Sequence, residues 1–284
     1  MEKQKRVAAI HDISGFGKCS LTVALPVISA AGIETSVIPT AVLSTHTGGI
    51  SGYTCCDLTD EMPKIIEHWS NLDLRFNAIY SGYLASKKQI DIVCLFLDRF
   101  NRDGCFAIVD PAMADNGKMY ALFDKDFAIA MRRLCQKADI IVPNMTEALF
   151  MLQREYQEGP YTKEFIQGLL HELSLLGPKK IVLTGVHFDN TTVGTACYDN
   201  ETNTVDYVIR DLIDGMYHGT GDVFASALTA ALVRKIPLKK AVELAVDLTV
   251  DSIRRTAMGG TDHLFGVDFE RGLKNFIETL DRQQ

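Results

Sequence analysis

Short runs rich in β-branched residues alternate along this chain with longer stretches in which apolar residues recur at about every third or fourth position. The first pattern marks buried strands and the second marks amphipathic helices, so strand and helix are expected to alternate. Candidate strands are VAAIHD from Val7, TSVIPTAV from Thr35, NAIYSGY from Asn77, CFAIVD from Cys105, DIIVPN from Asp139 and KIVLTG from Lys180. Between them, segments such as CSLTVALPVISAAG and KQIDIVCLFLDRF carry the helical period. This order predicts a mostly parallel sheet with helices on its faces. After Thr184 the pattern changes. TTVGTACYDNE and NTVDYVIRDLI read as two strands joined by a polar turn with Asp199 and Asn200, an antiparallel hairpin at the sheet edge. Three helices are then expected, starting near Thr220, Leu238 and Asp268. No internal repeat, low-complexity tract or Gly/Ser/Pro-rich linker interrupts this order. Residues 1–284 are therefore expected to form one α/β domain, a three-layer α/β/α sandwich.

Composition narrows the picture. The 284 residues exceed a typical domain, but layered α/β folds keep such a length as one unit, and a 47% hydrophobic content supplies a large core. Apolar runs stop well short of the roughly 20 residues a bilayer crossing needs, so no membrane span is expected. The first residues, MEKQKRVAAIHDIS, reach His11 and Asp12 after a short apolar stretch, which reads as a first strand and not as a signal peptide. A net charge of −7, with both signs interspersed, argues against nucleic-acid or membrane-surface partners and leaves small polar molecules. The seven cysteines show no CxxC or Cys/His metal spacing, which points to reduced thiols in a cytoplasmic protein.

The chemistry concentrates in MYHGTGDVFASALTAAL, where Gly219, Thr220, Gly221 and Asp222 precede an apolar helix. Glycines let a backbone approach a ligand closely, and the free amides of a first helical turn form an anion site suited to a phosphate. Asp222 in that turn is placed to accept a proton from an attacking hydroxyl. Alternatively, Thr220 or Asp222 caps the helix and the glycines only turn the chain. Other polar groups favour the first reading. Asp110-Pro111, the run Pro143 to Glu147, and Thr184-Gly185 each follow an apolar strand. Ligands of open α/β sheets bind outside the carboxyl ends of strands, so these groups are expected to converge.

Five motifs stand in one order: STHTGG at 44–49, SGYL at 81–84, VDPAMADNGKMY at 109–120, ADIIVPNMTEA at 138–148 and the GTGD tetrad. With them the chain resembles the ribokinase-like superfamily and, within it, the pyridoxal kinase branch, over essentially its whole length. The resemblance implies an ATP-dependent kinase acting on the 5′-hydroxymethyl group of a B6 vitamer. Asp222 is then the base, and the backbone of Gly219, Thr220 and Gly221 is the anion hole. It implies further that Asn144, Glu147 and Thr184 serve the nucleotide phosphates, and that Asp110 and Glu147 hold Mg²⁺ directly or through water. Adenine is placed near residues 262–267, where Leu264 and Phe265 serve either as apolar walls or as core. Substrate contacts fall on Asp12, Thr47 and Tyr83. Asp12 departs from the serine common in this branch and is similar to the acidic group of hydroxymethylpyrimidine kinases. A homodimer is the usual assembly of this branch, and a monovalent cation such as K⁺ is a possible further requirement. The loop 112–120 has the polar character of a lid, whereas His46 and His218 more often reflect packing than acid–base chemistry.

Three rival readings remain. SGFGKCS contains G-x-G-x-x-S with Glu34 downstream, a weak dinucleotide-binding fingerprint that leaves GTGD unexplained. A vitamer-binding protein without turnover would keep the fold, since fold alone does not establish function. Within kinases, hydroxymethylpyrimidine or a sugar is the alternative substrate.

Overall fold

The structure is a computed structural model and describes residues 4–260 and 262–283. Its strands are β1 Arg6–Ser14, β2 Glu34–Leu43, β3 Cys55–Asp57, β4 Ala78–Ser81, β5 Phe106–Val109, β6 Ala114–Asp115, β7 Lys118–Met119, β8 Ile140–Ile141, β9 Lys180–Val186, β10 Thr192–Asp199 and β11 Thr204–Asp211. Its helices are α1 Leu21–Ala30, α2 Met62–Asn71, α3 Lys87–Phe100, α4 Lys125–Cys135, α5 Met145–Met151, α6 Lys163–Ser174, α7 Thr220–Val233, α8 Leu238–Gly259 and α9 Leu273–Asp281.

Among the described residues, nine strands form one sheet in the order β11-β10-β9-β8-β5-β4-β1-β2-β3. The strands from β9 through β2 run parallel, while β3 and the β10–β11 hairpin add antiparallel edges. Side chains alternate between two cores along the central strands. Ile79, Ala107, Val109, Ile141 and Leu183 enter the layer of α2 to α6. Tyr80, Ile108, Ile140 and Val182 enter the layer of α1, α7, α8 and α9. A two-residue period thus builds an α/β/α sandwich, because the pleat sends successive side chains to opposite faces.

Several boundaries differ from those the pattern predicts. The β3 strand lacks any periodic signal because all three of its residues are exposed. At 139–144 only Ile140 and Ile141 join the ladder, which ends shortly before Pro143, a residue without an amide to donate. The hairpin turn begins one residue later than expected, since Asp199 still pairs with Thr204. The last helix starts at Leu273 and not at Asp268. There the Asp268 carbonyl accepts from Arg255 Nε at 2.9 Å and its amide donates to Thr256 Oγ1 at 2.8 Å, which holds that backbone outside a helix. Among the described residues, no helix is long and apolar enough to cross a membrane.

Candidate active site

Helix α7 begins at Thr220, and the residue before it, Gly219, has φ +75°. A Cβ at Gly219 would collide with the Lys18 carbonyl oxygen, so this position demands glycine for both its conformation and its space. The N-cap therefore has no side chain to cover the first-turn amides. Thr220 does not replace it, because its hydroxyl donates to the Tyr217 carbonyl at 3.3 Å. The capping alternative thus does not describe this helix start, and the geometry of an anion site remains.

Asp222 is half-buried within that first turn. Burial pushes its carboxyl up to about 7, the nearby Asp12 charge adds to this, and the Ser20 amide opposes it. Asp110, at the carboxyl end of β5, has its Oδ2 4.0 Å from where a Cβ on Gly221 would stand. Burial raises Asp110 well above the usual carboxylate range, and the charges of Glu147 and Asp222 raise it further. Three carboxylates from β5, α5 and α7 therefore crowd one region and oppose each other's ionisation.

Glu147 is 3% exposed and fully engaged by main chain. Its Oε2 accepts from the Asn144 amide at 2.8 Å and its Oε1 from the Met113 amide at 3.0 Å. Asn144 Oδ1 in turn accepts from the Glu147 amide at 2.9 Å, completing a capping box at the start of α5. Burial pushes the Glu147 carboxyl up to about 7 against the pull of these amides. The same helix start grips the expected lid. Asn144 Nδ2 donates to the Ala114 carbonyl at 2.8 Å, and Thr146 Oγ1 accepts from the Gly117 amide at 3.0 Å. The segment is a small hairpin of β6 and β7 with Asn116 and Gly117 at its turn. Thr184 on β9 bridges Asn144, its amide donating to the Pro143 carbonyl at 2.9 Å.

On the other side of Asp222, Asp12 is 5% exposed on β1, with Ser14 Oγ donating to its Oδ2 at 3.3 Å. Burial raises its carboxyl, while the Ser20 and Ser14 hydroxyls oppose this. Tyr83 is half-buried beside Phe123, ring centroids 5.5 Å apart, and its phenol is pushed up by burial and then by the Asp12 charge. Thr47 is exposed in the loop after β2. That loop is pinned by His46, whose Nε2 lies 2.5 Å from the Leu264 carbonyl and whose Nδ1 accepts from the Gly48 amide at 3.2 Å. This pattern assigns the ring proton to Nε2 and gives His46 a tethering role. Leu264 and Phe265 are half-buried. Phe265 packs edge-on against Phe16 with centroids 5.0 Å apart, and its carbonyl accepts from the Lys18 amide at 2.9 Å. Phe265 therefore braces the loop between β1 and α1, and Leu264 braces the loop after β2.

Sequence reasoning missed one part of this surface. An open cleft of about 330 Å³ runs from Asn144 and Met145 to Gly185, His187 and Asp189, bounded by Asp115 of the lid hairpin. Its rim residues Asn144, Gly185, Asp115 and Asn116 stand in motifs the sequence reading singled out, whereas His187 and Asp189 do not. Among the described residues, no three His, Cys, Asp or Glu side chains are arranged to hold a metal ion by themselves. The hard oxygens of Asp110 and its neighbours still fit Mg²⁺, which commonly takes one or two carboxylates and completes its shell with water and phosphate oxygens.

A doubly covered parallel sheet, with the glycine-flanked Asp222 and further buried carboxylates at the carboxyl ends of its strands, is the arrangement of a ribokinase-like small-molecule kinase. The family model described as phosphomethylpyrimidine kinase matches residues 24–265, and the chain belongs to that family. A Bacteroides thetaiotaomicron protein assigned as a phosphomethylpyrimidine kinase is 38% identical, with a TM-score of 0.93 over 96% of this chain and 94% of that one. A second crystal form, at 37% identity and a TM-score of 0.91 over 98% of this chain and 96% of that one, is a form with pyridoxal. Pyridoxal kinase from Lactobacillus plantarum is 29% identical, with a TM-score of 0.89 over 99% of this chain and all (100%) of that one. The hydroxymethylpyrimidine/phosphomethylpyrimidine kinase of Bacillus subtilis is 26% identical over 231 residues, 79% of this chain and 80% of that protein. The pyridoxal kinase resemblance carried by the motifs agrees with these relatives.

Proposed function

We propose that the protein transfers the γ-phosphoryl group of ATP to the 5′-hydroxymethyl group of a B6 vitamer, with Asp222 as base. The observation that carries this reading is the half-buried Asp222 carboxylate in the first turn of an uncapped helix, close to Asp110. The alcohol oxygen attacks the γ-phosphorus, the bond to the bridging oxygen of ADP breaks, and the alcohol proton passes to Asp222. The amides of Gly219, Thr220 and Gly221 stabilise the charge on the transferring group. Asp110 faces the tetrad and is the carboxylate best placed to hold Mg²⁺. Glu147, locked by main-chain amides, sets the position of Asn144 and the lid. Held there, Mg²⁺ would neutralise charge on phosphate oxygens. Strands from Arg6 to Asp211 share one sheet, and the C-terminal helices α7 to α9 pack on its face, which supports treating the described residues as one kinase unit.

Pyridoxal in a crystal form of a 37% identical relative favours the vitamer. The buried acid at Asp12 favours a substrate with a protonated ring nitrogen or an amine, and it keeps hydroxymethylpyrimidine as the second reading. Incubation with ATP and pyridoxal, pyridoxine, pyridoxamine or hydroxymethylpyrimidine, read by mass spectrometry, separates them. Phosphorylated vitamers are the expected products, and 5-deoxypyridoxal is expected to bind without reacting. Turnover of hydroxymethylpyrimidine alone would reassign the substrate, and no ADP release with any compound would leave a binding protein.

Glu147→Ala removes the acceptor from two buried amides, at about 1–3 kcal/mol each, and loosens the lid hairpin. The variant is expected to melt earlier and to need more Mg²⁺-ATP for half-maximal rate. An unchanged metal titration would remove Glu147 from the nucleotide site.

A further inference from the structure

On the sheet face covered by α1 and α7, near Asp222, four polar atoms are buried and make no hydrogen bond of normal geometry among the described residues. They are Nδ1 and Nε2 of His11, the Tyr80 hydroxyl and the Ser226 hydroxyl, all on residues that are 0% exposed. More than nine in ten buried polar groups in folded proteins are paired, so such a group in one layer calls for an account. Phenylalanine and alanine would fill the Tyr80 and Ser226 positions at no polar cost.

The four atoms belong together. His11 on β1 packs edge-on against Tyr80 on β4, centroids 4.3 Å apart and planes at 70°. Gly82 makes room for the imidazole, since a Cβ there would lie 2.5 Å from His11 Nδ1. Ser226 follows Asp222 by four residues on α7, which puts both on one face of that helix. Tyr80 and α7 share the same buried core. Burial, then the charges of Asp222 and Asp110, raise the Tyr80 phenol well above its usual range, and a hydrogen-bonding contact with the Ser226 side chain opposes this. Burial lowers His11 to about 3, so its ring is neutral, with one nitrogen to donate and one to accept.

We propose that Tyr80 is a positioning residue for the phosphoryl-transfer step: Tyr80, Ser226 and His11, joined by ordered water, form a buried seam that orients the Asp222 carboxylate toward the acceptor alcohol. The seam donates a hydrogen bond to one Asp222 oxygen and leaves the other for the substrate proton. This inference rests on Asp222 being the base.

Tyr80→Phe keeps the ring and removes only the hydroxyl. We expect kcat to fall by about tenfold with both KM values within about twofold, because misorientation of a catalytic group acts on the transition state. The melting temperature should hold or rise, since a buried hydroxyl is lost while packing is kept. Ser226→Ala should lower kcat in the same sense. In an Asp222→Asn background, Tyr80→Phe should cost nothing further, as groups acting through one residue are not additive. An unchanged kcat in Tyr80→Phe, or an equal loss in both backgrounds, would overturn the seam while leaving the base assignment intact. Normal turnover of Asp222→Asn itself would instead remove the base on which the seam depends.

Discussion

Asp222→Asn is expected to lower kcat by about 10²- to 10⁴-fold while ATP affinity stays within a few-fold, the range over which a general base contributes. The substitution keeps the side-chain shape in the first turn of α7, so the amides of the tetrad should still bind phosphate. On the proposed mechanism, what it removes is the acceptor for the alcohol proton. The pH profile gives an independent measure. Burial and the Asp12 charge hold the Asp222 carboxyl up to about 7 in the free protein. A base must be ionised to act, so kcat/KM should fall as pH drops through that region, and the asparagine variant should lose this limb. Single-turnover rates with the purified variant decide the matter. A near-normal chemical step in Asp222→Asn would place the base elsewhere.

Gly219→Ala should have the next largest effect. The backbone at Gly219 lies at φ +75°, and an added Cβ would meet the Lys18 carbonyl oxygen, which belongs to backbone and cannot swing away. Left-handed strain alone costs about 1–3 kcal/mol, and relief of the clash must move either the β1–α1 loop or the start of α7. Both movements spoil the anion site. We expect turnover to fall by more than tenfold together with a lower melting temperature, measured by calorimetry alongside ATP titration. Gly221→Ala is the control on the same turn, since a Cβ there meets only Asp110 Oδ2 at 4.0 Å. It should fold as the parent does. Equal behaviour of the two variants would show that the left-handed turn at Gly219 is not what shapes the site.

Much of the site was legible because its elements are local. The GTGD tetrad announces a tight turn and a helix start within seven residues, and the structure begins α7 at Thr220 as expected. Asp110 and Asn144 could be placed because each follows a short apolar run, and polar residues after such runs in an α/β chain lie at the carboxyl edge of the sheet. The cleft at His187 and Asp189 was not legible. Its walls come from α5, the lid hairpin and the β9–β10 connection, and no spacing along the chain reports their meeting. Glu147 was read as a phosphate and metal residue, but its hydrogen bonds to the Asn144 and Met113 amides appear only after α5 and the lid are side by side.

By itself the sequence determined the alternation of strands and helices and the glycine turn before Asp222, because periodicity and backbone conformation act between near neighbours, whereas the kinase class came from five ordered motifs that resemble a known family. Tertiary structure decided how Asp222, Asp110 and Glu147 crowd one another, and that Tyr80 and Ser226 lie close to Asp222 with His11 packed against Tyr80. In the sequence His11 and Tyr80 are only two more residues of apolar strands. Their meeting follows from β1 pairing beside β4 under α7, a long-range register that dihedral preferences cannot encode, and the low polarity of the surroundings then sets what their polar atoms can do.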